Sequence, residues 1–258
     1  MQHYFLNRTL TPGDQIGLPA EISHHLDRVL RSQVGDEVEL VSSQQVVFKA
    51  QIDRIADRTV FVSIIEKLAV NVELPVSVTV VSGLSKRNKP ELIVQKATEM
   101  GASKLIFVPM AWSVVKWAQK SDKKIKRLQE VALSAAEQSH RNVVPTVQYL
   151  DNLAALFNDP FDLKLVAYEE SAKAGEAANL VKLVAGSQPG ASIVAVFGPE
   201  GGISPTEIDQ LSQNGFIPMG LGPRIMRTET APLYFLAACS VLTELAGKLN
   251  KPANHDKI

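Results

Sequence analysis

The spacing of hydrophobic positions along the chain changes near residue 70. Before that point, short segments rich in Val, Ile and Phe are separated by polar or glycine-containing turns, as in "DEVELVSS", "QVVFKAQID" and "TVFVSIIEKL". Short β-branched and aromatic segments bounded by turn residues are typical of strands. Residues 1–70 are therefore predicted to form a small β-rich domain, either a barrel or a sheet.

After residue 70, apolar segments of strand length alternate with helical patterns. The predicted strands are "LPVSVTVVSGL", "KLIFVPM", "LKLVAYEE", "SIVAVF" and "GFIPMGL". The segment "KPELIVQKATEMG" has the pattern of a helix, with Pro90 in its first turn and Gly101 just past its end. Alternating strands and helices build a mostly parallel sheet with helices on its faces. An α/β domain is predicted over 74–248.

A longer amphipathic helix is predicted in the segment "SDKKIKRLQEVALSAAEQSHR". Its lysines and arginines lie on the face opposite the apolar positions, as expected of a helix that packs one side on a core. The apolar face contains Ile125, Leu128, Val131, Ala132 and Ala135.

Composition is that of an ordinary folded protein. The chain has 258 residues, of which 45% are apolar and 21% charged, and this length favours two domains. The beginning of the chain lacks a signal-peptide pattern, and no apolar run approaches the roughly 20 residues that span a bilayer. A cytoplasmic protein is expected. Its single cysteine, Cys239, lies in an apolar stretch and is predicted to be buried and inert.

Positive charge is concentrated in one part of a chain whose net charge is zero. Residues 1–70 contain seven lysines and arginines against nine acidic residues, whereas residues 82–127 contain eleven against three. Two interpretations remain open. The basic segment is either a solvated helix face or a surface that contacts phosphates, where binding would depend on salt through counterion release.

The first candidate ligand loop is the glycine-rich segment "FGPEGGISPTEID" at 197–209. It follows a predicted parallel strand, and ligands of α/β sheets bind beyond the carboxyl ends of strands. Ser204, Pro205 and Glu207 predict a capping box, so the helix that follows uses its own first N–H groups. With Glu200 adding negative charge, the loop favours a cationic or hydroxyl-rich ligand over a phosphate. The alternative is that the loop binds no ligand and is a glycine turn with a surface glutamate.

The second candidate loop, "GLGPRIMRTETAPLYF" at 220–235, combines glycines with two arginines. Arg224 and Arg227 are predicted to contact a ligand or substrate, with a structural ion-pair network as the alternative. The segment "TETAP" supplies N-cap residues for a helix that is apolar on nearly all sides. Such a helix must cross the core or form a subunit interface.

Both loops resemble the paired C-terminal signature of the SPOUT methyltransferases, through "GPEGGISPTE" and "LGPRIMRTETA". Nearly the whole chain is similar to the family that methylates N3 of a uridine in 16S, small-subunit ribosomal RNA. The other matching segments are "HHLDRVLRSQVGDEVEL", which resembles that family's PUA-like RNA-binding domain, "QKATEMGASKLIFVPM" and "AAEQSHRNVVP". One departure is Met226 where leucine is commoner, a swap that conserves volume.

The resemblance implies a trefoil knot, a homodimer formed through the SPOUT domain, and S-adenosylmethionine as cofactor. Adenine is expected against Leu221, Ile225 and Leu233, and many cofactor contacts are expected to involve backbone atoms. The implied cofactor residues are Gly198, Glu200, Gly201, Gly202, Leu221, Gly222, Ile225, Met226, Thr230, Ala231 and Leu233.

Methylation of uridine N3 requires removal of the proton that N3 carries at neutral pH. Arg141 is predicted to stabilise the developing uridine anion. Glu137, one helical turn earlier, is predicted to orient Arg141 or to act as base, with a helix-terminal salt bridge as the alternative. No metal is expected, because the histidines show no ligand spacing along the chain. They are His3, His24, His25, His140 and His255.

RNA binding is expected from basic residues in both predicted domains, and the substrate is expected to be ribosomal RNA in an assembled particle. The residues are Arg8, Arg28, Arg31, Lys86, Arg87, Lys96, Arg224 and Arg227. Two alternatives stay open. One is a SPOUT methyltransferase that acts on a ribose 2′-O or on guanosine N1, and the other is a non-catalytic RNA-binding assembly factor.

Overall fold

A computed structural model of the chain describes residues 1–117, 120–169 and 178–246. The chain divides into two compact units. The first contains Met1–Glu73 together with Ala136–Val143, and the second contains Leu74–Ala135 and the described residues from Val144 onwards. His255 and the last two positions of the predicted domain 74–248 lie outside the described residues.

The first unit contains a five-stranded sheet in the order β1-β3-β4-β5-β2. The pairing of β1 with β3 is parallel and the other pairings are antiparallel. The strands are β1 (Gln2–Phe5), β2 (Gln15–Gly17), β3 (Glu37–Val41), β4 (Val47–Ala56) and β5 (Thr59–Lys67).

Alternating side chains of these strands form the core of the first unit. Leu40, Ile52 and Val62 are each almost fully buried, and Leu26 adds a buried side chain from a helical segment. Alternation with a period of two residues puts one face of a strand in the core. The predicted β-rich N-terminal region is confirmed. The short strands β1 and β2 were not predicted, because three or four residues give too little alternation to identify a strand.

The second unit contains a six-stranded sheet in the order β11-β9-β10-β6-β7-β8, and every pairing in it is parallel. The predicted α/β architecture is confirmed. Strand β8 was not predicted. The strands are β6 (Ser77–Gly83), β7 (Lys104–Val108), β8 (Thr146–Tyr149), β9 (Leu163–Ala167), β10 (Ser192–Phe197) and β11 (Ile217–Met219).

Helices connect the strands in both units. Within the described residues they are α1 (Ala20–His24), α2 (Lys89–Glu99), α3 (Ser121–Gln138), α4 (Asn179–Ala185), α5 (Pro205–Gln213) and α6 (Ala231–Ser240). A π-helical turn continues α1 over His25–Val29, another continues α6 over Val241–Leu245, and a 3-10 turn covers Leu153–Leu156. In the part of the chain that the structure describes, no helix combines the length and apolar character needed to cross a membrane.

Both faces of the parallel sheet are covered, which explains why its strands are continuously apolar. On β10, Ile193 and Ala195 pack into one hydrophobic cluster, whereas Val194 and Val196 pack into another. Helices α2, α3, α4 and α6 contribute to the first cluster and α5 to the second. Cys239 of α6 is fully buried, as predicted, and burial raises the pKa of its thiol to about 12.

The apolar face predicted for α3 is confirmed. Leu128, Ala132 and Ala135 are buried, and Ile125 and Val131 pack at the edge of the core. The helix belongs to the second unit as far as Ala135 and to the first unit from Ala136.

Candidate active-site loops and the end of helix α3

Four of the loops that follow the carboxyl ends of parallel strands in the second unit are called together the loop edge. They comprise residues 84–88 after β6, 109–117 after β7, 198–204 after β10 and 220–230 after β11. Because parallel strands end at the same edge of their sheet, this is where a ligand of the α/β domain is expected. Both glycine-rich loops singled out in the sequence belong to the loop edge.

Glycines allow close approach of backbones at the loop edge. A Cβ on Gly198 would lie 2.8 Å from the carbonyl carbon of Gly202, and one on Gly201 would lie 2.8 Å from the Cβ of Trp112. One on Gly83 would lie 2.6 Å from the backbone nitrogen of Pro199. Contacts this short are sterically excluded, so these positions require glycine for space alone.

The capping box predicted at the start of α5 is confirmed. The hydroxyl of Ser204 accepts from the N–H of Glu207 at 3.3 Å, and the carboxylate of Glu207 accepts from the N–H of Ser204 at 3.0 Å. The same carboxylate accepts from the N–H of Ala111 at 2.7 Å, which fixes the loop after β7. The first N–H groups of the helix are thus partly used within the protein, as expected if the loop does not hold a phosphate.

Glu200 links three loops of the loop edge. Its Oε1 accepts from the backbone N–H of Lys86 at 3.1 Å and lies 3.0 Å from Nζ of Lys89, and the same Nζ lies 3.1 Å from Oε2 of Glu229. Burial raises the pKa of Glu200, but these donors more than offset it and hold the pKa below its ordinary value. Lys89 was missed at the level of sequence because nothing in its local pattern distinguishes it from the other lysines of the basic segment.

The remaining predicted cofactor residues lie on the second glycine-rich loop and the start of α6. Gly222 has a φ of +88°, a left-handed conformation that favours glycine. Leu221, Ala231 and Leu233 pack at the edge of the core, whereas the side chain of Ile225 is 78% exposed. Met226 is partly buried, and the exposed Thr230 occupies the N-cap position of α6 without a capping side-chain hydrogen bond.

The residues predicted to bind RNA lie on the surface of their units, with Lys96 partly buried. Two of them have local acidic partners: Arg28 lies 3.0 Å from Asp27, and Lys96 lies 2.8 Å from Glu99. The other six are exposed. In the first unit these are Arg8 and Arg31, and in the second they are Lys86, Arg87, Arg224 and Arg227.

The second group of predicted site residues lies at the end of α3, which we define as residues 136–143 and call the α3 end. Arg141 is only 3% exposed, and its Nε donates to both carboxylate oxygens of Glu73 at 3.2 Å. Its Nη2 also donates to Glu73. The same carboxylate accepts from the backbone N–H groups of Asn142 at 2.9 Å and Val143 at 3.2 Å.

This geometry bears on the role predicted for Arg141. The charge of the guanidinium is already compensated by Glu73, and the side chain is removed from solvent. A buried pair of this kind fixes the backbone that carries it, and removing one partner is costly. In this structure the ion pair of Arg141 with Glu73 fixes the position of the α3 end. Direct contact of Arg141 with a uridine stays a prediction.

The pKa of Glu137 lies near neutral pH. The side chain is partly buried, and burial raises its pKa to about 7. Burial raises the pKa of Tyr4 to about 12, and the nearby negative charge of Glu137 contributes to this increase. Among the described residues no ion pair involves Glu137, so the helix-terminal salt bridge considered as an alternative is not formed there.

Two histidines and a glutamate meet at the α3 end, to which His140 belongs. Nδ1 of His3 lies 2.9 Å from Oε2 of Glu39, and Nδ1 of His140 lies 2.8 Å from the same oxygen. Burial raises the pKa of Glu39, but the two histidines lower it overall. The prediction of no metal depended on the spacing of the histidines along the chain. Because His3 and His140 are far apart in the sequence, that spacing gave no information about this cluster.

Comparison with known proteins defines the class of the chain. Residues 72–240 match the model of an RNA methyltransferase domain, and residues 18–65 match the model of an RNA methyltransferase PUA domain. The predicted PUA-like character of the N-terminal region is thereby confirmed. The chain is 40% identical over 95% of its length to the ribosomal RNA small subunit methyltransferase E of Bacillus subtilis, of which the match covers 98%. The chain belongs to the ribosomal RNA small subunit methyltransferase E family.

Solved structures agree with this assignment. A ribosomal RNA small subunit methyltransferase E from Neisseria gonorrhoeae, bound to S-adenosyl methionine, is 30% identical and covers 94% of this chain and 98% of its own, with a TM-score of 0.82. A Legionella pneumophila structure in complex with the cofactor SAM is 28% identical, with coverage of 93% and 96% and a TM-score of 0.80. The family resemblance inferred from the sequence motifs is confirmed.

Proposed function

We propose that this chain transfers a methyl group from S-adenosylmethionine to N3 of a specific uridine in 16S ribosomal RNA. The family and the SAM-bound relatives support the methyltransferase reaction and its cofactor. The observation that carries the proposal for this chain is the structure of the loop edge. Ion pairs of Lys89 with Glu200 and Glu229 connect the loops, and glycines in these loops have no room for a side chain.

The loop edge fits a cofactor of this kind on two grounds. Gly198, Gly201 and Gly202 present backbone atoms without side chains, which suits a ligand held through backbone groups. The hydroxyl of Ser85, just after β6, is buried and has no hydrogen-bond partner among the described residues. The further contacts we propose are those of the second glycine-rich loop and α6: Leu221, Gly222, Ile225, Met226, Thr230, Ala231 and Leu233. When bound, the cofactor supplies an electrophilic methyl group on a sulfonium.

The role of Glu200 follows from its contacts. A loop that favours a cationic or hydroxyl-rich ligand leaves two roles for Glu200, contact with ribose hydroxyls or compensation of the positive charge of the cofactor. Because Lys89 already compensates its charge, we propose that Glu200 positions the loop and presents its carboxylate to hydroxyl groups. Glu200→Gln keeps the shape of the side chain and tests this. A small loss of affinity supports positioning, whereas a loss as large as that expected for removing a direct ion pair with the cofactor contradicts it.

The nucleophile needs a base, and we propose Glu137 for that step. At neutral pH a carboxylate with a pKa of about 7 is partly deprotonated and well matched to accept a proton. We propose that Arg141, held by Glu73, positions this segment. The rate of methyl transfer in single turnovers is expected to rise with pH through about 7, and Glu137→Gln is expected to remove that dependence. An unchanged profile in the variant would exclude Glu137 as the base.

RNA binding is proposed for the basic surface residues of both units. Arg8, Arg28 and Arg31 lie in the unit that contains the PUA match, and the others lie in the second unit. The residues of the second unit are Lys86, Arg87, Lys96, Arg224 and Arg227. Contacts to phosphates predict an affinity that falls steeply with salt concentration. A salt titration of RNA affinity measures this, and a slope near zero would mean that the residues form only a solvated face.

A homodimer through the second domain is proposed because α6 and its continuation leave apolar side chains in contact with solvent. Tyr234 is 40% exposed, and Val241 and Leu245 are each 51% exposed. Their spacing of seven and four residues keeps them near one helical face. Val241→Asp with Leu245→Asp is expected to give a monomer in sedimentation, whereas Val181→Asp, an equally exposed apolar position on α4, is expected to leave the dimer intact.

We also propose the domain limits 1–70 and 74–248, a trefoil knot in the second domain, a cytoplasmic location and an assembled ribosomal particle as substrate. Two other functions compete. Methylation of a ribose 2′-O or of guanosine N1 would use the same loops with a different nucleophile, and a non-catalytic assembly factor would bind RNA without turnover. Mass spectrometry of nucleosides from small-subunit RNA of a deletion strain separates them, because only the proposed activity predicts the selective loss of one N3-methyluridine.

A further inference from the structure

The cluster of His3, Glu39 and His140 is built from three separate elements of the first unit. His3 of β1 and Glu39 of β3 are direct partners in the parallel pairing of these strands, so their side chains lie side by side on one face. His140 follows α3. The three ligand atoms lie within 4.8 Å of one another, and among the described residues this is the one group of its kind.

Hydrogen bonding defines which nitrogen of His3 faces the cluster as an acceptor. Its Nε2 lies 2.9 Å from the backbone carbonyl oxygen of Arg141, and a carbonyl only accepts, so Nε2 carries a hydrogen. In the neutral ring Nδ1 then has a lone pair, which points at a carboxylate oxygen of Glu39 2.9 Å away. Two lone pairs at that distance repel each other. A positive charge is needed between them, and its source is either a metal ion or added protons.

His140 occupies a backbone position that normally favours glycine. Its N–H donates to the carbonyl of Glu137, and the N–H of Arg141 donates to the carbonyl of Ala136, the two bonds of a Schellman motif that ends α3. His140 has a φ of +54°, in the left-handed region where glycine is the usual residue at this position. A side chain here costs backbone strain, and this one directs its ring at Glu39.

We propose that His3, Glu39 and His140 bind a divalent metal ion of the zinc class through His3 Nδ1, His140 Nδ1 and a carboxylate oxygen of Glu39. Two imidazoles and one carboxylate are a ligand set that zinc accepts and that calcium and magnesium disfavour. The Arg141 carbonyl would hold the ring of His3 through its other nitrogen, as outer partners of metal-bound histidines do.

The geometry is close to what a tetrahedral ion needs. The two imidazole centroids are 5.0 Å apart, and their Nδ1 atoms converge on one oxygen. Two ligand atoms that each lie about 2.0–2.1 Å from a tetrahedral zinc ion are farther apart, by a few tenths of an ångström, than the histidine nitrogens are from the Glu39 oxygen here. The ring of His140 has room for that shift because its side chain is 45% exposed. The same exposure leaves the fourth position open to water.

Zinc and cobalt titrations of the untagged full-length protein, first treated with a chelator and dialysed, test this proposal. Calorimetry with Zn²⁺ is expected to give one site per chain, and Co²⁺ is expected to give the visible absorption of a tetrahedral complex. Zn²⁺ is also expected to raise the thermal unfolding temperature of the wild-type protein.

His140→Gly is the decisive variant, because glycine suits the left-handed position and the variant is expected to fold at least as well as the wild type. We expect it to weaken Zn²⁺ binding about a hundredfold and to abolish the thermal shift. Glu39→Gln, which keeps the shape of the side chain, should weaken binding about as much. His24→Ala removes an exposed histidine outside the cluster and should change neither. Absence of one-site binding, or equal Zn²⁺ affinity in His140→Gly and wild type, would overturn the proposal.

Discussion

The loop edge and the α3 end hold their shape by different means. At the loop edge, glycines such as Gly198 and Gly201 let backbones approach to distances that no side chain permits. At the α3 end, Arg141 and Glu73 are a largely buried ion pair between parts of the chain separated by 68 residues. The first arrangement presents backbone to a ligand, and the second fixes the conformation of a short segment. The two regions should therefore respond differently to mutation.

The largest effect on stability is expected at the α3 end. Glu73→Gln removes the negative charge that faces the buried guanidinium of Arg141, and breaking such a pair costs about 3–5 kcal/mol. Denaturant unfolding measures this loss. Glu91→Gln is the matched control, since it removes the same charge from the exposed pair with Arg127 and should change little. Equal effects of the two variants would show that burial of Arg141 does not govern the α3 end.

The next largest effect is expected at the loop edge, and it should appear in cofactor binding. Gly198→Ala puts a Cβ 2.8 Å from the backbone of Gly202, which forces the loop to shift and costs about 1–3 kcal/mol. Affinity for S-adenosylmethionine should fall at least about tenfold by calorimetry. Gly190→Ala meets no atom within 4 Å and should leave the affinity unchanged, although its positive φ makes it somewhat destabilising.

A smaller effect is expected from the ion pairs that join the loops. Lys89→Met removes the cation shared by Glu200 and Glu229, and we expect about 1 kcal/mol less stability and a several-fold weaker cofactor affinity. Lys96→Met is the control, because its partner Glu99 is one turn away on the same helix. If Lys89→Met binds the cofactor like the wild type, the loops are held by their backbones alone.

The smallest effect is expected from the titration of Glu137. Its pKa is higher in the folded protein than its ordinary value of 4.5, so the folded state holds the proton more tightly. Stability should fall as pH rises from about 4.5 to about 7 and level off above that. We expect a decrease of about 1 kcal/mol, because the partly exposed side chain is screened by solvent. Glu137→Gln should remove this decrease and Glu130→Gln should retain it, as unfolding curves across this pH range would reveal.

Sequence and structure agree best where the signal is local. The parallel strands, the apolar face of α3 and the capping box of Ser204 and Glu207 depend on periodicity or on residues three positions apart, and all three were predictable. The glycine-rich loops were also identified, since a strand followed by glycines and a helix start is a local pattern. The exposure of Ile225 was not predictable, because it depends on the path of the loop around it.

Contacts between distant parts of the chain explain what the sequence could not predict. Glu73 and Arg141 are 68 residues apart, and His3 is 138 residues from the carbonyl that orients it. Lys89 resembles the other lysines of the basic segment until the fold brings Glu200 and Glu229 to it. The burial that raises the pKa of Glu137 likewise comes from packing that no short segment encodes.

The uridine-N3 methyltransferase activity proposed for this chain can be measured directly. The most direct measurement incubates the purified protein with small-subunit particles and cofactor labelled in its methyl group, then locates the label by mass spectrometry of the digested RNA. We predict labelled N3-methyluridine at a single position, and several-fold less label with the Gly198→Ala protein at a cofactor concentration near the wild-type Kd. Label on a ribose 2′-O or on guanosine N1, or no transfer to RNA by a protein that binds the cofactor, would contradict the proposal.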